Sequence, residues 1–307
     1  MIVKIIVGCL IVLFVAVFLV LFWAYSTAFL KSRKPITDHD GIDTFLKEYR
    51  DVILNGQEYI ASCESSRIST LSYDGLRLSA GYYPIGTDRT IIVCHGYRSP
   101  ARRDYAGAVK MYHRMGLNVL MIDQRSHGDS EGKLITFGIK ERRDVLSWVN
   151  FIIDNFGGKT EIFLSGISMG AATVMMAASL SLPENVKGIV ADSGYSSPAE
   201  IIGKVARDSH HVSPKLAVTL LEPMCRLFGG FSLYETTAEK SVAETNIPLL
   251  FIHGKADDFV PYEMTVKCYE AARGQKDIVL VENAGHGCAY LVDTEAVEQK
   301  LKEFLCG

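Results

Sequence analysis

From Thr90 to the C-terminus the chain keeps one rhythm, a short apolar run followed by a longer stretch with apolar residues at helical spacing. The short runs occupy residues 90–94, 117–122, 161–167, 186–191, 247–252 and 277–281. Runs of this length, apolar on both faces and separated by helical stretches, predict parallel strands joined by crossover helices. The helices are expected over 103–115, 140–156, 169–180, 261–273 and 294–305, which together define an α/β fold with a mostly parallel, doubly wound sheet. Upstream, residues 67–73 and 76–83 flank the turn pair Asp74-Gly75, so the sheet is expected to begin with an antiparallel hairpin. One interval breaks the rhythm. Between Ala191 and Ile247 the connection is far longer than usual and contains the apolar stretch 216–227, which predicts an inserted helical cap over about 199–240. At 307 residues the chain needs only one large domain to accommodate all of this.

The N-terminus obeys a different rule. No charge occurs from Ile5 to Leu30, a run long enough, at about 1.5 Å per helical residue, to cross a hydrocarbon layer of about 30 Å. Trp23 and Tyr25 suit a membrane interface, and Lys31, Arg33 and Lys34 close the run. A retained single-pass anchor over 1–34 is expected; a cleaved signal peptide, with Ser26 and Ala28 as its small residues, is the competing reading. The basic residues on the two flanks are nearly balanced and only faintly favour a cytoplasmic catalytic domain. Residues 35–56 then form a juxtamembrane linker with a helix over 40–55, in which Ile42, Phe45, Leu46, Tyr49, Val52 and Ile53 share a face and Gly56 marks the stop. Residues 57–307 make the α/β domain.

Composition removes some functions. With 32 basic and 35 acidic residues intermixed and a net charge of −3, there is no electrostatic reason to expect a nucleic-acid partner. The cysteines lack the close-spaced pairs of a metal site, and neither a metal nor a cofactor is implied.

Chemistry is carried by "GISMG", Gly166 to Gly170, where an apolar strand meets a run of helix formers. A serine on such a tight strand-to-helix turn projects its hydroxyl above the sheet, the arrangement of a nucleophile elbow, and Ser168 is the candidate nucleophile. The same G-x-S-x-G pattern recurs from Gly128 to Gly132, but there Ser130 comes after a polar stretch and no helix begins beyond it. Serine requires a base, and the base an orienting acid. Among four His-Gly pairs, at His95, His127, His253 and His286, only His286 lies beyond the last strand in a glycine-flanked loop able to reach across the sheet. Asp257, after the preceding strand, is the expected acid, with Asp192 as its substitute and Asp258 facing water or capping the following helix. The growing oxyanion would be held by the backbone N–H groups of Tyr97 and Met169.

From about residue 60 to 306 the chain resembles the α/β-hydrolase superfamily, through "VCHGY", "DQRSHGDSEG", "GISMG", "FIHGKADDFVP" and "AGHG". These motifs are similar to those of a membrane-anchored bacterial branch related to serine aminopeptidases and monoacylglycerol lipases. Ser126 stands where related sequences often carry glycine. The resemblance implies a cap that forms the substrate pocket; Leu216, Val218, Leu220, Leu221, Met224, Leu227, Phe228 and Phe231 are apolar residues that would either line it or, at their helical spacing, form the core of the cap. The expected activity is cofactor-free serine hydrolysis of a small-molecule or lipid-like carboxylic ester. An aminopeptidase or amidase is the alternative, and a catalytically silent membrane-tethered scaffold is the reading from another class.

Overall fold

The computed structural model describes residues 1–32, 34, 37–44 and 46–307. Helix α1, Ile2–Phe29, leads through a turn-rich segment to α2, Arg50–Ser62. The hairpin β1, Ser66–Leu71, and β2, Arg77–Tyr83, turns at Gly75, whose φ of 85° a side chain would disfavour. Next come β3, Arg89–Cys94, α3, Ala101–Asp104, α4, Val109–Arg114, and β4, Asn118–Asp123. After them lie α5, Glu141–Phe156, β5, Glu161–Ile167, α6, Met169–Ala177, and β6, Val186–Asp192. The long interval supplies α7, Pro198–His210, α8, Pro214–Met224, a π turn over Cys225–Gly229, and α9, Ala238–Ala243. The chain closes with β7, Leu249–Gly254, α10, Tyr262–Ala271, β8, Lys276–Val281, α11, Ala289–Val292, and α12, Thr294–Cys306.

The eight strands form one sheet in the order β1-β2-β4-β3-β5-β6-β7-β8. Among the described strands, β1–β2 and β2–β4 pair antiparallel and the others pair parallel. Alternation along β3 shows how the sheet divides the core: Ile91 and Val93 enter one layer with Tyr105, Tyr112 and Leu301, while Ile92 and Cys94 enter the other with Trp148, Met175 and Phe251. The carboxyl ends of the parallel strands therefore share one edge, the place where an open α/β sheet gathers its functional loops.

Three local expectations are corrected. The helix expected over 103–115 is broken into α3 and α4 by turns around Gly107, where a Cβ would lie 3.0 Å from the Tyr290 ring. The juxtamembrane helix lies later than expected, at α2, and Gly56 sits inside it. A Cβ at Gly56 would meet the Ala106 carbonyl at 2.1 Å, so this glycine permits close packing and does not end the helix. Phe45, counted on the expected helical face, and Arg33, counted among the basic residues closing the apolar run, lie outside the described residues.

α1 divides into two parts. Residues Ile5 to Val20 are exposed and uncharged, and the helix is long and apolar enough to span a membrane. Its last turns are core. Tyr25 and Phe29 are fully buried, and the Phe29 ring packs 5.5 Å from both Phe137 and Phe231. The Ile135 N–H donates to the Phe29 carbonyl at 2.7 Å, and Leu30 bridges to Leu134. Packing thus runs across the boundary expected near residue 34.

Candidate active site

β5 carries Ser168 to the functional edge and ends there abruptly. Ser168 has φ 57° and ψ −115°, a backbone conformation that costs a non-glycine residue about 1–3 kcal/mol. Its N–H donates to the Asp192 carbonyl at 2.8 Å, and its carbonyl accepts from Ala172 in the first turn of α6. Close approach makes the flanking glycines necessary: a Cβ at Gly170 would stand 1.9 Å from the Cys94 carbonyl oxygen, and one at Gly166 would strike Gly170 itself. The start of α6 is thereby pressed against the end of β3.

Two other loops converge on the serine. His286, after β8, places Nε2 2.8 Å from Ser168 Oγ and Nδ1 2.7 Å from Asp257 Oδ2. An ionised carboxylate can only accept, so Nδ1 carries the proton and Nε2 is free to accept from the serine hydroxyl. Asp257, after β7, also receives the N–H groups of Phe259 and Val260 on Oδ1, at 2.9 and 2.8 Å. Burial pushes this carboxyl up, but hydrogen bonds from His253, His286 and the Val260 backbone outweigh it and hold it below the ordinary carboxylate range.

His253 is a participant that the spacing of motifs did not single out. Its Nε2 lies 3.0 Å from Asp257 Oδ2 and 2.9 Å from the Val260 carbonyl. Both partners accept, so Nε2 must donate. Nδ1 meets the Thr265 hydroxyl at 2.7 Å. The buried acid is therefore gripped from two sides, by one histidine that reaches the serine and one that does not.

The alternatives lie elsewhere. Asp192 ends β6 and accepts from the Ser193 hydroxyl at 2.8 Å, and burial raises its carboxyl to about 6. Its contact with Ser168 is through the backbone. Asp258 is exposed, and its carbonyl accepts from Lys204. Ser130 is buried, donating to the Asp123 carbonyl at 2.6 Å and accepting the Ser79 N–H at 2.8 Å.

The turn after β3 adjoins Ser168, with a Cβ at Gly96 falling 3.6 Å from the serine Cβ. Among the described residues, no acceptor pairs with the N–H of Tyr97 or of Met169. The turn is pinned from two directions. Arg98, at φ 50°, donates its N–H to His127 Nε2 at 3.0 Å. Its guanidinium reaches the carbonyls of Thr27 and Leu30, both at 2.8 Å, and the Tyr97 hydroxyl donates to Ala28 at 2.8 Å. A cation and a hydroxyl thus cap the carboxyl end of α1 and tie it to the turn beside the serine. His127 is held neutral: burial pushes its pKa well below the ordinary value, and the neighbouring His95 adds to the effect.

A cavity of about 250 Å³ opens beside Ser168 and His286. It is lined by Tyr97, Met111, Ile167, Phe259, Tyr290 and Leu291, with Leu46 and Ile53 from the N-terminal segment. None of the eight apolar cap residues lines it; Val218, Leu221, Met224 and Phe231 are core instead, the other place their spacing allowed. The cap leans the other way, and Phe228 packs against Phe18, Phe22 and Tyr25 of α1. Gly107 and Ala108, from the break between α3 and α4, line the cavity instead.

Known proteins share this arrangement of sheet and loops. The family model described as serine aminopeptidase, S33, matches residues 86–228, and the model described as TAP-like protein matches 229–307. Relatives include YqkD of Bacillus subtilis, 28% identical over 73% of this chain and 74% of its own length. Rv2307c of Mycobacterium tuberculosis is 28% identical over 76% of each chain. Among solved structures, the Pyrococcus furiosus esterase Pf2001 superposes with a TM-score of 0.66 at 25% identity, covering 81% of this chain and 92% of its own. The ferulic-acid complex of Est1E from Butyrivibrio proteoclasticus shares the fold, with a TM-score of 0.59 at 20% identity over 78% of this chain and 100% of its own. The chain is a serine hydrolase of the α/β-hydrolase superfamily.

Proposed function

We propose that the protein hydrolyses a carboxylic ester through an acyl-enzyme on Ser168, and that α1 is retained as its membrane anchor. The observation that carries the reading is the continuous hydrogen-bonded line from Ser168 through His286 to Asp257, set at the mouth of an apolar cavity. Ser168 Oγ attacks the ester carbonyl carbon as its proton passes to His286 Nε2. Asp257 fixes the imidazole tautomer and stabilises the imidazolium. The tetrahedral oxyanion lies between the N–H groups of Tyr97 and Met169, the second at the positive end of α6. Collapse expels the alcohol, which takes the proton from Nε2. Water then repeats the sequence on the acyl-serine, releasing the acid and restoring the hydroxyl.

The retained anchor is favoured over a cleaved signal by the burial of Tyr25 and Phe29. Cleavage after either residue would empty aromatic slots in the main core, at about 3–5 kcal/mol for a lost phenylalanine. Full-length protein should therefore partition with membranes at its unprocessed mass. On this reading the chain divides into anchor 1–34, linker 35–56 and α/β domain 57–307, with the cap at about 199–240.

The test is a panel of p-nitrophenyl esters and aminoacyl p-nitroanilides against the detergent-solubilised full chain. Esters should dominate, with kcat/KM rising by up to about 0.8 kcal/mol for each buried CH₂ until the cavity is full. Preference for the anilides would transfer the same residues to the peptidase reading that the first family model names. Turnover of neither, with no labelling by a fluorophosphonate, would leave the scaffold reading.

A further inference from the structure

The cap carries an apolar surface that the proposed catalytic cycle does not use. On α8 and the π turn after it, Leu216, Leu220 and Leu227 recur at helical spacing, 52%, 38% and 76% exposed. Leu216 and Leu220, four apart, fall on one side of α8, and the π turn that follows adds Leu227 to this exposed apolar stripe. Phe228, 44% exposed, joins the stripe to α1.

The depth of this stripe can be read from α1. The segment from Ile5 to Trp23 is about 28 Å long at helical rise, which matches the hydrocarbon thickness, with Lys4 below it and the amphipathic Trp23 at its upper limit. Trp23 meets His210, the last residue of α7, with ring centroids 6.4 Å apart. Phe228 reaches past that level. Its ring lies 5.7 Å from Phe22 and 6.3 Å from Phe18, residues that belong to the span. The corner between α7 and α8 carries the Trp23 contact and leaves Lys215 exposed close by in the chain, a cation that suits anionic headgroups.

We propose that the cap corner, Leu216 to Phe228, is a second membrane contact, dipping its apolar stripe into the acyl-chain layer alongside α1. The occupant is the bilayer itself, because the stripe is continuous with a helix that has the length and composition of a span. This rests on the anchor reading above. With both contacts made, the domain is held at a fixed tilt and cannot swing freely on one helix, and its Ser168 edge, tied to the end of α1, stays close to the interface.

Two native tryptophans permit a direct test, since Trp148 is fully buried and supplies a constant background. The full chain is reconstituted into vesicles of dibrominated phosphatidylcholine, and indole quenching is compared with that in unbrominated vesicles. In the unsubstituted chain, quenching of Trp23 reports the anchor. In a Trp23→Phe background, Leu227→Trp and Leu220→Trp report the cap, and Ile85→Trp, at the opposite edge of the sheet, reports bulk exposure. The proposal expects the cap indoles to lose emission as strongly as Trp23 does, while the indole at position 85 loses none. Quenching of Trp23 with unquenched cap indoles overturns the cap contact and leaves the anchor standing. Absence of quenching at Trp23 and at the cap removes both.

Discussion

Ser168 and Ser130 occupy the same five-residue pattern, yet the fold uses them in opposite ways. Ser168 stands on a strained turn with its hydroxyl directed at a histidine. Ser130 is sealed inside, and both hydrogen-bonding functions of its hydroxyl are spent on Ser79 within β2 and Asp123 at the end of β4. The stretch around it braces other parts: Lys31 donates to Lys133, Leu30 bridges to Leu134, and His127 accepts from Arg98. Glycines at fixed spacing specify a sharp turn only. Whether the serine between them is free depends on the element the turn leads into, a helix in one case and a return to the sheet edge in the other.

The comparison breaks most decisively at the serines themselves. Ser168→Ala should lower kcat by about three to six orders of magnitude and abolish fluorophosphonate labelling, while leaving thermal unfolding nearly unchanged. Ser130→Ala should do the reverse. If its loss of kcat matched that of Ser168→Ala, the two stretches would have been assigned the wrong way round.

Next in size is the acid. Asp257→Asn keeps the loop shape but removes the charge that orients His286, so kcat should fall by about four orders of magnitude. Asp192→Asn should cost far less, because Asp192 meets Ser168 through its backbone carbonyl. Circular dichroism on both variants separates folding from chemistry, and an Asp192→Asn enzyme crippled alone would move the acid to β6.

Stability carries the third contrast. Ser130→Ala leaves the buried Ser79 N–H and Asp123 carbonyl without their partner, which should cost about 1–3 kcal/mol in denaturant unfolding. A change too small to measure would mean that the second stretch is not a brace.

The smallest effect is a pH dependence. The folded pKa of His127 is depressed, so below its ordinary value of 6.5 the unfolded chain takes up a proton that the folded chain refuses. Stability must then fall as pH drops through that value, by at most about 1.4 kcal/mol per pH unit from this residue. His127→Gln should flatten the Tm profile between about pH 7 and about pH 5. A profile that keeps its slope would assign the acid sensitivity to other groups.

What the sequence made legible was governed by local signals. The strands were readable because their apolar runs are short and bounded by turn residues. Ser168, Asp257 and His286 stand out as candidates because each lies just past a strand end, and the structure brings those three side chains within hydrogen-bonding distance. Other features depended on contacts between distant segments. His253 looks like any other His-Gly pair until β7 and the Val260 backbone are seen together. Hydropathy registers Tyr25 and Phe29 as more of the same apolar run, since lipid and protein core are equally dry. The cavity was not legible because Gly107 and Ala108, which line it, lie at a break in the helix that the apolar periodicity does not announce.

The buried end of α1 also fixes an order of events. α1 is synthesised before the α/β domain, and the aromatic wall that receives Phe29 is completed only when Phe231 emerges, about 10–40 s later at ordinary elongation rates. Until then the slot for Phe29 does not exist, and afterwards it can be filled only by a helix already lodged in the bilayer, if α1 is the anchor proposed above. The final closure of the core is then a docking step at the membrane surface, and the chain matures where it will work.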